Sequence, residues 1–267
     1  MRFRSVLALL ILAFALPSRA TEYTDLWWNP AESGWGLTVT HQGDVVFLTI
    51  FVYGADGKAA WYAGPASFTS NDENGNPAYS GTLYQSTGPA FSAPFTAASV
   101  KATAVGTATF AVTGDSSGNV SYTVNGVGVA KSIVRQTFRI NEDVPGNYLG
   151  GLVADSFSCP FAIVGNGNGF ERQANVQITG PATDMQVAID DGRGCTTQGD
   201  YTQAGLLGRV DGSLVCANNI ANNNRGTATF FEMEANRFGI TSRYALNYVS
   251  GCVERGRYTG ARRPGSP

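Results

Sequence analysis

The sequence predicts an all-β protein made of two small antiparallel β-barrels or sandwiches in tandem, on three observations. Only 14% of the 267 residues are charged while 33 are glycine, a composition suited to strands joined by tight turns and poor in the Lys and Glu that cover surface helices. Short apolar or alternating runs recur along the chain between clusters of Gly, Asn, Asp and Pro, which is the signature of successive hairpins. No window repeats its apolar residues at the 3.6-residue period of a helix, so helix has nowhere to form an amphipathic face.

The first element is a leader. Arg2 and Arg4 precede an apolar run from Val6 to Leu16, and Ser18 and Ala20 are the small residues three and one places before a cut after Ala20, so residues 1–20 read as a signal peptide. The run is too short to span a bilayer, which takes about twenty apolar residues, and no transmembrane segment is expected in the mature chain. Strands this short and Gly-rich do not suit an outer-membrane barrel either. Export implies a secreted or periplasmic protein. Removing Arg2, Arg4 and Arg19 leaves 15 basic and 20 acidic side chains, a formal charge of −5, and a mildly acidic chain without a basic stripe is not expected to bind nucleic acid.

In the first domain, residues 21–140, the segment at Trp27-Trp28 is an entry strand. Consecutive residues of an extended segment point to opposite sides, so one of these two rings faces the core and the other is the best exposed contact. Gly34–Thr40 alternates Trp35, Leu37 and Val39 with small residues, which places Trp35 in the core. Val45–Tyr53 is apolar on both faces and reads as a buried strand. Ala59–Ser67, Tyr79–Gln85, Ala102–Thr113, Asn119–Val124 and Val127–Phe138 follow, with Asn125-Gly126 as a two-residue hairpin turn. Ser86–Ser99, rich in Pro, Ser, Ala and Phe, is expected as a packed loop. Asn141–Pro145 is a polar connector. The second domain, residues 146–263, repeats the theme with strands near 146–154, 171–178, 184–190, 195–203, 208–216, 226–233, 238–247 and 253–262.

All four cysteines, Cys159, Cys195, Cys216 and Cys252, lie in the second domain, and in an exported chain an even number implies disulfides. Cys195 and Cys216 fall at the two ends of a hairpin in matching register, which pairs them. Cys159 with Cys252 follows by elimination. With one histidine and no C-x-x-C spacing, no zinc site is expected.

The segment Trp28-Asn29-Pro30-Ala31-Glu32-Ser33-Gly34-Trp35-Gly36, followed by Gly43-Asp44, Asp56-Gly57-Lys58 and Trp61-Tyr62, resembles a module widespread among exported bacterial proteins of uncharacterised function. The resemblance covers residues 22–140 and implies export without implying an activity. The chain is also similar to calycin-like barrels, in which an aromatic residue of the first strand packs under an arginine of the last. That similarity pairs Trp27 or Trp28 with Arg135, and Tyr148 with Arg257 or Arg262, through cation-π attraction.

Chemistry is thinly supplied. His41 lies eight residues after Ser33 and near Asp44, but no nucleophile elbow accompanies them, and a turn role suits it better. A glycosidase needs two facing carboxylates; Glu32 with Asp44 or Asp56, Asp190-Asp191, and Glu232 with Glu234 are the available pairs, each also explained as turn or solvated charge. The oxygen-rich loops Asn71–Asn74 and Asp115–Asn119 lack the spacing of an EF-hand. No cofactor and no metal are expected. The reading that remains is a non-catalytic protein binding an unknown small molecule, glycan or protein at the cell envelope through Trp27, Trp28, Glu32, Trp61 and Tyr62. An extracellular hydrolase using Glu32 and a second carboxylate, or a purely structural envelope module, are the alternatives.

Overall fold

A computed structural model describes residues 22–138, 144–159, 169–217 and 225–265; residues 1–20, read as the leader, and most of the connector lie outside the described residues. The described residues form sixteen strands in two closed, antiparallel, eight-stranded barrels. The first is built from β1 (Asp25–Trp28), β2 (Gly36–Gln42), β3 (Val45–Tyr53), β4 (Ala59–Asn71), β5 (Pro77–Thr87), β6 (Lys101–Val112), β7 (Ser117–Val124) and β8 (Val127–Arg135). The second comprises β9 (Gly146–Ser158), β10 (Phe170–Thr179), β11 (Met185–Asp190), β12 (Cys195–Ala204), β13 (Leu207–Cys216), β14 (Arg225–Ala235), β15 (Gly239–Tyr248) and β16 (Val253–Arg262). The only helical turns among the described residues are the three-residue 3-10 segments Ala97–Ser99 and Ala182–Asp184. None of these is long and apolar enough to cross a membrane.

Each strand pairs with the next in sequence, and closure comes from pairing the last with the first: β8 with β1, and β16 with β9. Local chemistry sets several of these hairpins. Asn125 and Gly126 both take positive φ, 50° and 83°, which gives the tight turn that Val124 and Val127 flank as a register pair. Wall glycines admit the close strand approach that a small barrel needs. A Cβ on Gly81 would stand 2.0 Å from the Pro65 carbonyl oxygen, and one on Gly150 1.9 Å from that of Thr259.

The interior of each barrel is filled by side chains from alternate positions. In the first, Trp27, Leu37, Leu48, Ile50, Leu83, Phe110 and Ile133 are all fully buried, with Trp27 edge-on to Phe110 at 5.1 Å between ring centroids. In the second, Tyr148, Leu152, Ile178, Leu214 and Tyr244 do the same. The space left among Leu152, Val187, Phe230 and Tyr244 is about 10 Å³ and apolar, too small and too dry for a ligand.

The same clamp closes both seams. Arg135 on β8 is the register partner of Trp27 on β1 and lies over its ring at 4.8 Å; Arg262 on β16 is the register partner of Tyr148 on β9 and lies over its ring at 5.2 Å. Trp27 Nε1 donates to the carbonyl of Tyr23 and the Tyr148 hydroxyl to that of Val144, each four residues back. Arg135 donates to the Glu22 carbonyl at 2.6 Å and Arg262 to the Pro145 carbonyl at 2.9 Å, so each guanidinium also ties down the chain entering its barrel. The carboxylate of Asp25 accepts from Arg135 at 3.2 Å and from the Leu206 amide, in the β12–β13 turn of the second barrel, at 3.0 Å. The Gly205 amide donates to Thr137 Oγ1, which donates to the Gln203 carbonyl, and Arg209 donates to Asp115, adding to the contact between barrels.

The disulfides are Cys195–Cys216 and Cys159–Cys252. The first joins a register pair of the β12–β13 hairpin. The second joins the end of β9 to the residue before β16, across a sequence separation of 93 against 21 for the first.

Three expectations need correction. The strand Val45–Tyr53 is not buried on both sides. A barrel wall is one sheet thick, so Val46, Leu48 and Ile50 fill the interior while Val45, Phe47, Phe51 and Tyr53 face outward and exposed. The segment Ser86–Ser99 is not packed: Phe91 and Phe95 project into solvent. Trp35 precedes β2 and is only partly buried, against the rim of the core.

Two outcomes follow. Loop-closure entropy makes the Cys159–Cys252 bridge the stronger, so replacing that pair by alanine is expected to cost about 4–5 kcal/mol and replacing Cys195–Cys216 about 3 kcal/mol, measured by urea unfolding. Arg135→Met leaves the Asp25 side chain, 7% exposed, without its cation; a loss of roughly 3–5 kcal/mol is expected in the same measurement.

Candidate functional site

The outer surface of the first barrel concentrates what a filled interior has no room for. Ladder registers define its rows. Phe51 pairs with Gly36 on one side and Trp61 on the other. One step beyond the pair Trp27 and Leu37, Trp28 comes alongside Gly36, and it faces outward because Trp27 faces inward. Trp28, Gly36, Phe51 and Trp61 therefore form one row across four strands, with strands spaced about 4.8 Å apart. Gly36 contributes a buried backbone and no side chain between the strands of Trp28 and Phe51.

A second row holds Thr38, Thr49 and Ala63, with Tyr84 beyond, and a third Thr40, Phe47 and Pro65. Phe47, Phe51 and Trp61 are each close to half exposed and Tyr53 is more so. Aromatic rows thus flank a row of threonine hydroxyls. No outward position of β2, β3 or β4 carries a charge. An exposed aromatic face of this kind on a folded domain is the candidate interaction surface.

The remaining predicted contacts do not join this face. Trp27 is fully buried under Arg135 and is withdrawn as a ligand contact, because its ring fills the barrel and clamps the seam. Tyr62, next to Trp61 in sequence, points inward and packs on the core. Glu32 sits in the β1–β2 loop, where its carboxylate is ion-paired with Lys131 of β8 and accepts from the Asn29 amide. Lys131 also lies over the Trp35 ring at 5.3 Å, and Trp35 Nε1 donates to the Tyr122 hydroxyl at 3.1 Å. Together these groups fold the loop over the barrel mouth as a plug. Of the predicted set, the structure brings Trp28 and Trp61 onto one face and puts Glu32 at the mouth.

The pairings of Glu32 with Asp44 and of Ser33 with His41 separate, while Asp56, at the same end as Glu32, is engaged with Lys58 at 3.5 Å. Glu32 and Ser33 are at the mouth, whereas Asp44 and His41 are at the opposite end, where β2 meets β3. His41 donates from Nε2 to the Gly43 carbonyl at 2.8 Å and is buried beside Tyr23 and Tyr79. Asp72 turns its own loop: hydrogen bonds from the Asn76 side chain, then from backbone amides, hold its carboxyl below the usual range. Among the described residues no group of three or more His, Cys, Asp or Glu side chains could hold a metal.

The second barrel contains a polar cluster that turn chemistry did not foretell. Arg193 meets Glu254 through two bonds, at 2.6 and 3.2 Å, and Asp191 at 2.7 Å. The Glu254 and Asp191 side chains have no exposure. Tyr244 and Tyr248 hydroxyls converge on the same carboxylate. Burial works to lower the Arg193 pKa, but the bonds and charge of Glu254, with Asp191, outweigh it and raise it. Asp191 is thus a buried clamp, not only a turn residue. Glu232, expected as a solvated strand charge, takes a left-handed φ of 49° at a β14 bulge and pairs with Arg243 at 3.3 Å. It borders a cleft of about 240 Å³ between the barrels, lined also by Asp115, Arg209 and Phe231. The cations of this cleft already have internal carboxylate partners.

Comparison with protein-family models, curated proteins and solved structures returns no match, so the functional reading rests on this geometry.

Buried tyrosines set an alkaline limit. Burial pushes Tyr79 and Tyr201 up to about 12 from an ordinary 10, and burial followed by the Glu254 charge pushes Tyr244 and Tyr248 higher still. A raised folded-state pKa favours folding while the phenol is neutral, so this stability is complete below pH ~10 and is lost as pH rises through ~12. Urea midpoints measured across that range are expected to fall, each phenol contributing roughly 1.4 kcal/mol per pH unit.

Proposed function

We propose that this is an exported, non-catalytic binding protein that holds an extended, neutral polysaccharide on the outer aromatic face of its first barrel. The observation that carries the reading is the uncharged platform of Trp28, Phe51, Trp61, Phe47 and Tyr53 with the Thr38 and Thr49 hydroxyls between its rows. Flat rings stack on the apolar faces of sugars, and hydroxyls between them can exchange hydrogen bonds with sugar hydroxyls. A neutral chain suits a face without charge, since a charged one would lose its hydration there without gaining a partner. Residues 1–20, with two disulfides in the second barrel, support a secreted or periplasmic site of action.

Hydrolysis finds less support. Glu32 is engaged with Lys131, Asp56 at the same end with Lys58, and the carboxylate of Asp44 is at the other end of the barrel. The filled interiors speak for a surface site over a cavity.

Retention of the mature chain on insoluble neutral glucans and chitin tests the reading. The wild type is expected to be retained, Trp61→Ala and Phe51→Ala each to weaken retention about tenfold, the equivalent of about 1.4 kcal/mol, and Glu32→Gln to leave it unchanged. Unchanged retention in the Trp61→Ala, Phe51→Ala double variant, or no retention of the wild type on any neutral polysaccharide, would leave the structural-module reading in its place.

A further inference from the structure

We propose that the tip of the β5–β6 hairpin seats the first barrel on an anionic lipid bilayer. This inference stands independently of the polysaccharide reading. From Gly88 to Val100 the connection contains no charged residue. It carries Phe91 at 104% and Phe95 at 76% relative exposure, with Val100 also exposed. Two phenylalanines this exposed at the end of a projecting hairpin are costly to leave in water, and a convex tip needs a surface that can deform around it. The headgroup region of a bilayer does so, and aromatic side chains favour that region.

Position and charge agree with a lipid partner. The tip is at the end of the first barrel where β1, β3, β5 and β7 finish, together with exposed Tyr53 and Val127. The second barrel is attached at the opposite end, through Asp25, Thr137 and Asp115, so nothing among the described residues covers the tip. All three lysines of the protein, Lys58, Lys101 and Lys131, belong to the tip end, against two carboxylates, Glu32 and Asp56. The other end of the described barrel has Arg135 against Glu22, Asp25, Asp44, Asp72, Glu73 and Asp115. The barrel is therefore electrically polarised, its apolar end being the one that an anionic surface attracts and its acidic end the one that such a surface repels. Lys101 stands at the neck of the hairpin, one residue after Val100, where a cation meets headgroup phosphates once the tip is inserted.

The test is co-sedimentation of the full mature chain with vesicles of phosphatidylethanolamine and phosphatidylglycerol, and with vesicles of phosphatidylcholine alone. Binding to the anionic vesicles is expected to exceed binding to phosphatidylcholine and to weaken with added salt. The Phe91→Ser, Phe95→Ser double variant is expected to lose binding at least tenfold with an unchanged melting temperature, because neither ring contributes to the core. Phe91→Trp is expected to gain an emission quenched by lipids labelled in the acyl chain. Failure of the wild type to bind anionic vesicles, or equal binding by the double variant, would overturn the proposal. So would wild-type self-association in light scattering that the double variant abolishes while vesicle binding stays absent, which would assign the tip to a second copy of the chain.

Discussion

A sheet of eight strands becomes a barrel only when its last strand pairs with its first, and in both halves of this protein that seam is clamped by an arginine lying over an aromatic ring. Arg135 over Trp27 and Arg262 over Tyr148 are register partners across the closing ladders. The ring fills the bottom of the interior and the guanidinium satisfies carbonyls of the chain entering the barrel, so closure, core and entry segment are joined through one side chain. In the first barrel the same arginine holds Asp25, whose second contact is the Leu206 amide of the other barrel. Seam closure and attachment of the barrels are therefore coupled through a carboxylate that is itself almost fully buried. Buried charges of this kind add little net stability when complete, yet removing one partner is expensive.

Once closed and filled, a small barrel leaves function to its outside. Its wall is a single sheet, and only every second side chain can enter the core. The interior accepts Trp27, Tyr79 and Phe110; the further aromatic residues of β3, β4 and the β5–β6 connection have no place there. Their exposure is a consequence of geometry combined with an excess of apolar residues over interior positions. Two surfaces result, an uncharged aromatic face on the side of the barrel and an apolar tip at its free end. They are adjacent but differ in kind: the face is broad and carries hydroxyls, the tip is narrow and flanked by lysine. The two proposals combine into a protein held at a lipid surface with its flank presented to a polymer.

Much of the fold was legible in the chain. Two-residue periodicity, the Asn125-Gly126 turn and the matched ends of the β12–β13 hairpin are local signals, set by neighbours in sequence or by a simple antiparallel register, and they led to the strands and to the Cys195–Cys216 disulfide, which left Cys159 and Cys252 to each other. The aromatic pair Trp27-Trp28 announced that its members face opposite sides. The candidate site was less legible. Trp28 and Trp61 were visible as rings, but Phe47 and Phe51 were hidden within a run apolar on both faces, which would be buried throughout only in a sheet covered on both sides. Glu32 looked available for chemistry because Lys131, its partner, is 99 residues away.

By itself, then, the sequence determined the all-β class, the two-part organisation, the matched register of Cys195 and Cys216 and the alternation that sends Trp27 and Trp28 apart. These depend on periods and short-range register, which any stretch of chain carries within itself. Only the tertiary structure decided which member of the tryptophan pair is core, that Arg193 and Glu254 meet inside the second barrel, and that the rings of Trp28, Phe51 and Trp61 line up in one row across four strands, with Gly36 between the first two. Those outcomes depend on barrel closure, which brings together residues far apart in sequence and permits only one face of each strand to be inside.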